Sequence, residues 1–170
     1  FFNEIFRGKP HVLSLTEEKL LAQAGEMSEV ADNVFSMFAN GDLKLGTIKD
    51  ENGDEVKLTN ANYISYMESA DRRVRREAFE HMYGAYGSFR NTIATAYTGH
   101  IKGSAFYKEA RKHNSCLEMF LFSDNVKKEV YDNLIKTVDD HLDIFDEYLK
   151  LRKKMLGVDE LHMYDIYVDL

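Results

Sequence analysis

The densest group of chemically capable side chains lies near the C-terminal end, where Glu160, His162, Tyr164, Asp165 and Tyr167 fall within eight residues. Phenolic hydroxyls and an imidazole can donate to a substrate carbonyl or stabilise a developing oxyanion. The residues alone favour a helix-to-strand junction whose tyrosine rings pack and whose Asp165 caps the next element. A second cluster is the run Asp71-Arg72-Arg73-Val74-Arg75-Arg76. It would suit an anion, but Glu68/Arg72, Arg73/Glu77 and Arg76/Glu80 are i,i+4 pairs that neutralise most of the run, which favours a solvated helix face.

The six histidines, His11, His81, His100, His113, His141 and His162, are scattered, and none is followed by Glu and a second His four residues on. That spacing would place two zinc ligands on one helical face. His113 and Cys116 stand three apart, yet a metal would need two more ligands. A nucleophilic Cys116 would need a basic His and an orienting group that nothing in the sequence marks. There is no Gly-x-Ser-x-Gly elbow and no Gly-rich phosphate loop opening a helix. These residues do not make a complete active site.

The elements that must position them are mostly helical. A helix follows Ser14, with Thr16-Glu17-Glu18 supplying a cap and acids for its N-terminus, and Gly25 is its expected stop. A second helix runs from about Ser28 to Asn40-Gly41, where Gly41 is expected in the left-handed conformation. Two alternating runs flank Asn52-Gly53 and predict a short hairpin within 45–58. Thr59 or Asn60 should cap a brief helix containing Tyr63, Ile64 and Met67.

From Asp71 a single apolar stripe, from Val74 through Ile93 to Ala105, predicts about forty residues of helix with a bend near Gly84–Gly87. After a short apolar stretch at 116–122, a last long helix should begin after Ser123-Asp124-Asn125 and close at Gly157. It bears two stripes, one through Leu134 and Leu142, the other through Ile144, Tyr148 and Leu151. The expected fold is therefore all-α, with long antiparallel helices and one short hairpin.

Composition agrees. The chain has 170 residues and one proline, Pro10, which permits long helices. With 22 basic and 29 acidic residues the net charge is −7, which argues against a nucleic-acid partner. A lone cysteine excludes an intramolecular disulfide and fits a reducing compartment. No apolar run reaches the roughly 18 residues of a membrane helix, so no membrane partner and a soluble chain are expected. The chain opens on Phe1-Phe2-Asn3 and stops at Val168-Asp169-Leu170 within a fresh apolar pattern, which predicts an excerpt of a longer protein.

Several blocks resemble oligoendopeptidase F, a thimet-oligopeptidase-like family of zinc metallopeptidases. They are Asn33–Met37, Asp42–Asp50, Asp71–Phe79, Tyr131–Ile135, Leu151–Gly157 and, the most diagnostic, Asp159–Val168. The resemblance covers nearly the whole chain in order. It implies a mostly helical fold enclosing a deep channel, with zinc held by an H-E-x-x-H helix and a Glu from a second helix. The Glu inside that motif activates the zinc-bound water. It also implies short, unstructured peptide substrates and a cytoplasmic location.

The zinc motif is absent here, and in the family it lies beyond the point corresponding to Leu170. No catalytic or metal residue can be carried over, and residues 1–170 are expected to be one helical segment, an incomplete lobe without the catalytic half. His162, Tyr164 and Asp165 match a family segment at the transition into that half, which makes them candidates for the substrate cleft. The hairpin around Asn52-Gly53 is a second candidate for lining the channel. Zinc is expected in the full-length enzyme and none in this segment. An isolated segment would expose apolar faces such as Ile144/Tyr148/Leu151, so its self-association is also expected. The competing reading is a freestanding α-helical module that binds peptide or protein without catalysis.

Overall fold

A computed structural model describes residues 2–170. In chain order it contains α1 (Phe2–Gly8), a 3₁₀ turn (Lys9–His11), α2 (Leu15–Ser28) and α3 (Val30–Met37). A π-helical turn (Phe38–Asp42) leads to strands β1 (Thr47–Lys49) and β2 (Glu55–Lys57), then α4 (Tyr63–Met67). The remainder is α5 (Arg72–Ser88), α6 (Arg90–Ala110), α7 (Cys116–Ser123), α8 (Lys128–Asp139), α9 (Leu142–Leu156) and a final 3₁₀ turn (Met163–Asp165). Among the described residues the fold is mainly α with one small antiparallel hairpin, the class that the periodicities predict.

Two compact units emerge: residues up to 37 with 91–138, and 38–90 with 139–170. In the first, α2 begins on a complete capping box. The Ser14 hydroxyl accepts from Glu17 N–H, and the Glu17 carboxylate accepts from Ser14 N–H at 2.9 Å. The helix does not stop at Gly25. It runs three residues further, and the Gly25 carbonyl accepts from both Glu29 N–H and the Ser28 hydroxyl. The glycines of α6 are close approaches. A Cβ on Gly99 would lie 3.3 Å from the Ala31 methyl, and one on Gly103 would lie 3.6 Å from Ser28 Cβ.

The second unit holds the better-packed core: Leu45, Ile48, Leu58, Met67, Val74, Ala78 and Tyr164. Ile48 pairs with Val56 across the hairpin, between the Thr47–Lys57 and Lys49–Glu55 pairs, and points its side chain into that core. The connection is longer than a two-residue turn. Asp50 Oδ1 accepts from the backbone N–H groups of Asn52 and Asp54, each at 2.9 Å, and only Gly53 of the Asn-Gly pair has positive φ, at 87°.

Three other expectations are corrected. Gly41 lies inside the π-helical turn, and the left-handed residue is Gly46, φ 82°, which turns the chain into β1. The forty-residue stripe is two helices, broken at Phe89 (φ −112°, ψ 16°) rather than bent at Gly84–Gly87. The last long helix is also two, because α8 ends at Asp139 and α9 starts after His141. Periodicity continues across both breaks, since one or two non-helical residues barely disturb a stripe. Gly157 closes α9 in the left-handed conformation, φ 63°, as its position suggests.

Candidate functional site

The arginine run and the C-terminal run meet within the second unit. Asp71 caps α5 by accepting from Arg73 N–H at 2.8 Å, which starts the helix with Arg72 and Arg75 on one face. Arg72 donates through Nε and Nη2 to Asp165 Oδ1 and Oδ2 at 3.0 and 2.9 Å. Arg75 is buried and donates through Nη2 to Asp165 Oδ1 at 2.9 Å, through Nε to the Tyr164 carbonyl at 3.0 Å, and through Nη1 to the Ser69 carbonyl at 2.7 Å. From α9, Arg152 Nε donates to the Asp165 carbonyl at 2.8 Å, and its Nη2 reaches the carbonyl of Val168.

Asp165 is thus fully enclosed, with no exposed area. Its Oδ2 also accepts from His162 N–H at 3.0 Å, closing a capping box on the last 3₁₀ turn. Burial pushes its carboxyl pKa up, but the Arg72, His162 and Arg75 hydrogen bonds outweigh that and hold it at about 2. The same contact raises Arg72 above the usual guanidinium value. The solvated-face reading therefore holds for only part of the run. Arg73–Glu77 and Arg76–Glu80 pair along the helix, whereas Arg72 and Arg75 serve the C-terminal segment.

His162 and Tyr164 form a shallow stack, ring centroids 4.9 Å apart and 14° from parallel. Tyr164 is the inner ring, buried against Phe79 edge-on at 5.9 Å, with the Arg72 guanidinium 5.3 Å from its centroid. His162 is the outer ring, with 41% of its side chain exposed and Nε2 3.6 Å from Glu160. Of the three C-terminal candidates, His162 is the one that presents a titratable group to solvent. Burial, with Tyr83 and Tyr167 nearby, pushes the Tyr63 phenol up to about 12, so it remains a protonated donor.

The hairpin is tied to the same helix. Arg73 donates to the carbonyls of Lys49 and Asp50 at 3.0 and 2.7 Å, and Ser69 bonds Glu51. In the first unit His113 stacks on His11, and Cys116 opens α7 behind a Ser115 cap. Spacing gave no sign of that stack or of the buried roles of Arg75 and Arg152. The one available signal was an arginine run with more cations than its helix neighbours neutralise.

Residues 65–169 match the family described as Peptidase family M3, and residues 1–44 match the one described as Oligopeptidase F. The chain belongs to peptidase family M3. Among M3 relatives it is 44% identical over 167 residues to "Oligopeptidase PepF" of Bacillus subtilis, covering 98% of this chain and 25% of the relative. It is 43% identical to "Group B oligopeptidase PepB" of Streptococcus agalactiae, covering 100% of this chain and 28% of that protein. The crystal structure of oligoendopeptidase-F from Enterococcus faecium superposes with a TM-score of 0.95 at 40% identity, over 99% of this chain and 32% of that one. The M3 chain therefore spans about a quarter of the length of the curated relatives it matches.

The zinc that the family implies does not fit the side chains of this M3 segment. Among the described residues no three His, Cys, Asp or Glu side chains converge so as to hold a metal ion. Both oxygens of the buried Asp165 carboxylate are already taken by Arg72, Arg75 and the His162 N–H.

Proposed function

We propose that this chain is the non-catalytic helical portion of a zinc-dependent oligoendopeptidase that hydrolyses short peptides in the cytoplasm, where it forms one wall of the substrate channel. The observation that carries the reading is the superposition, with a TM-score of 0.95, on part of an oligoendopeptidase-F. The names of the relatives, oligopeptidases of two bacteria, supply the substrate class. No histidine in the chain begins an H-E-x-x-H motif, which supports assigning the hydrolytic step to residues outside this segment.

In this reading the arginine–Asp165 cluster is a fastening and His162 is the side chain offered to the channel. Tyr164 and Asp165 act as positioning residues: one backs the imidazole by stacking, the other fixes its backbone N–H. The hairpin, pinned by Arg73, is the second element placed along the wall.

The isolated 170-residue chain and its intact parent should be assayed together on a quenched-fluorescent short peptide, with zinc content measured by atomic emission. Cleavage by the parent alone is expected, with less than stoichiometric zinc in the segment. Zinc-dependent cleavage by the segment would overturn the division of labour. A parent that never cleaves peptides but binds them would favour the freestanding binding module.

A further inference from the structure

His11 and His113 meet in a parallel stack, with centroids 3.8 Å apart and planes 6° from parallel. Each ring also takes Phe122 nearly edge-on, at 4.6 and 5.2 Å. On Phe122 sits the Arg7 guanidinium, 3.9 Å from the ring centroid, while Arg7 also bonds the Phe122 carbonyl. His11 Nδ1 lies 2.7 Å from the Arg111 carbonyl, so that nitrogen carries a hydrogen, and Arg111 returns a bond to the His11 carbonyl at 3.2 Å. Together these contacts fasten α1 and its following turn to the α6–α7 junction.

We propose that the His11–His113 stack is an acid-released latch, closed while at most one ring is protonated and opened when both are. Two imidazoliums at 3.8 Å repel strongly in a partly desolvated setting. The surroundings add to the repulsion. Arg7 from α1, Lys112 after α6 and Lys128 from α8 line the same cleft of about 280 Å³, against which only Glu118 of α7 contributes a negative charge among its lining residues. Of the flanking cations, Arg111 is paired with Glu18 of α2, Arg7 with Glu4 of α1 and Lys128 with Asp132 of α8. Those carboxylates are therefore engaged, and none of them is among the residues that line the cleft. Displacing the rings removes the edge contacts of Phe122 and with them the seat of Arg7, so α1 is freed.

The electrostatics run the same way. Burial, then the His11 neighbour, lowers the His113 pKa against the opposing pull of Glu118. An imidazole depressed in the folded state keeps its full contribution above the ordinary value of 6.5 and loses it as pH falls below. The latch belongs to the first unit and does not depend on the peptidase reading.

The test is hydrogen exchange of the 170-residue chain between pH 7.5 and 5, corrected for intrinsic rates, alongside NMR titration of the histidine ring protons. The expected result is about tenfold or greater loss of protection in α1, the 9–13 turn and α7, following the His113 titration. The hairpin at 47–57 should keep its protection throughout. In His113→Phe and in His11→Phe, which keep a ring without a second titration, protection should persist at pH 5. Unchanged wild-type protection, or the same loss in a folded Phe variant, overturns the latch. If neither variant folds, loss of protection at a midpoint detached from the His113 titration does so.

Discussion

Arg72 and Asp165, 93 positions apart, share a two-point ion pair in which guanidinium Nε and Nη2 meet the two carboxylate oxygens at 3.0 and 2.9 Å. This fork-to-fork geometry is the strong form of the arginine–carboxylate contact. It ties the first turn of α5 to the last turn of the chain. Arg75 and Arg152 complete the fastening from below, through side-chain and backbone oxygens of residues 164–168. No buried side-chain nitrogen or oxygen among the described residues is left without a partner.

Replacing Asp165 should therefore damage the second unit more than replacing either exposed arginine. Asp165→Ala strands the buried Arg75, and loss of one partner of a buried pair costs about 3–5 kcal/mol. Arg73→Ala, whose pairs are half exposed, should cost less than about 1 kcal/mol through its ion pairs. Urea unfolding of the two variants measures the difference, and equal effects would contradict the assigned roles.

Acid should loosen the same fastening in a defined window. The Asp165 carboxyl is held at about 2 against an ordinary 3.8, so the unfolded chain takes up the proton first as pH falls. Its contribution, about 2 kcal/mol, is complete above 3.8 and lost on descending to about 2. Stability measured from pH 5 to 2 should show that slope in wild type and lack it in Asp165→Asn.

Gly46→Ala should destabilise the entry to the hairpin by about 1–2 kcal/mol. The backbone there has φ 82°, and a Cβ would stand 3.1 Å from His81 Nδ1, which itself bonds the Leu45 carbonyl at 3.0 Å. Thermal unfolding checks this, and Gly41→Ala, where nothing lies within 4 Å and φ is not positive, is the neutral control.

Ser14→Ala removes the hydroxyl half of the capping box at α2 and should cost about 1 kcal/mol. Circular dichroism through a denaturant series reads the loss, and Ser14→Asp should recover most of it. A variant as stable as wild type would mean that tertiary contacts alone hold the start of α2.

Ile144, Tyr148 and Leu151 on α9 are 58%, 44% and 55% exposed, in keeping with the apolar face read from the sequence. Self-association through such faces is expected to appear in light scattering as a mass that rises with concentration. Ile144→Glu with Leu151→Glu should abolish the rise, and a wild-type mass independent of concentration would count against it.

Local chemistry in the sequence determined most helices, the hairpin, the start of α2 after Ser14 and the Gly157 stop, because each depends on residues within one turn. The family, too, was legible in ordered blocks of residues. Helix breaks at Phe89 and at Asp140–His141 were not, since the apolar stripe resumes almost in phase beyond each. Tertiary structure alone decided that two of four clustered arginines turn from the helix surface toward a carboxylate 90 or more positions away. It alone stacked His11 on His113. Charge and ring contacts act over a few ångströms in space whatever their separation along the chain, so spacing carries no record of them until the chain is folded.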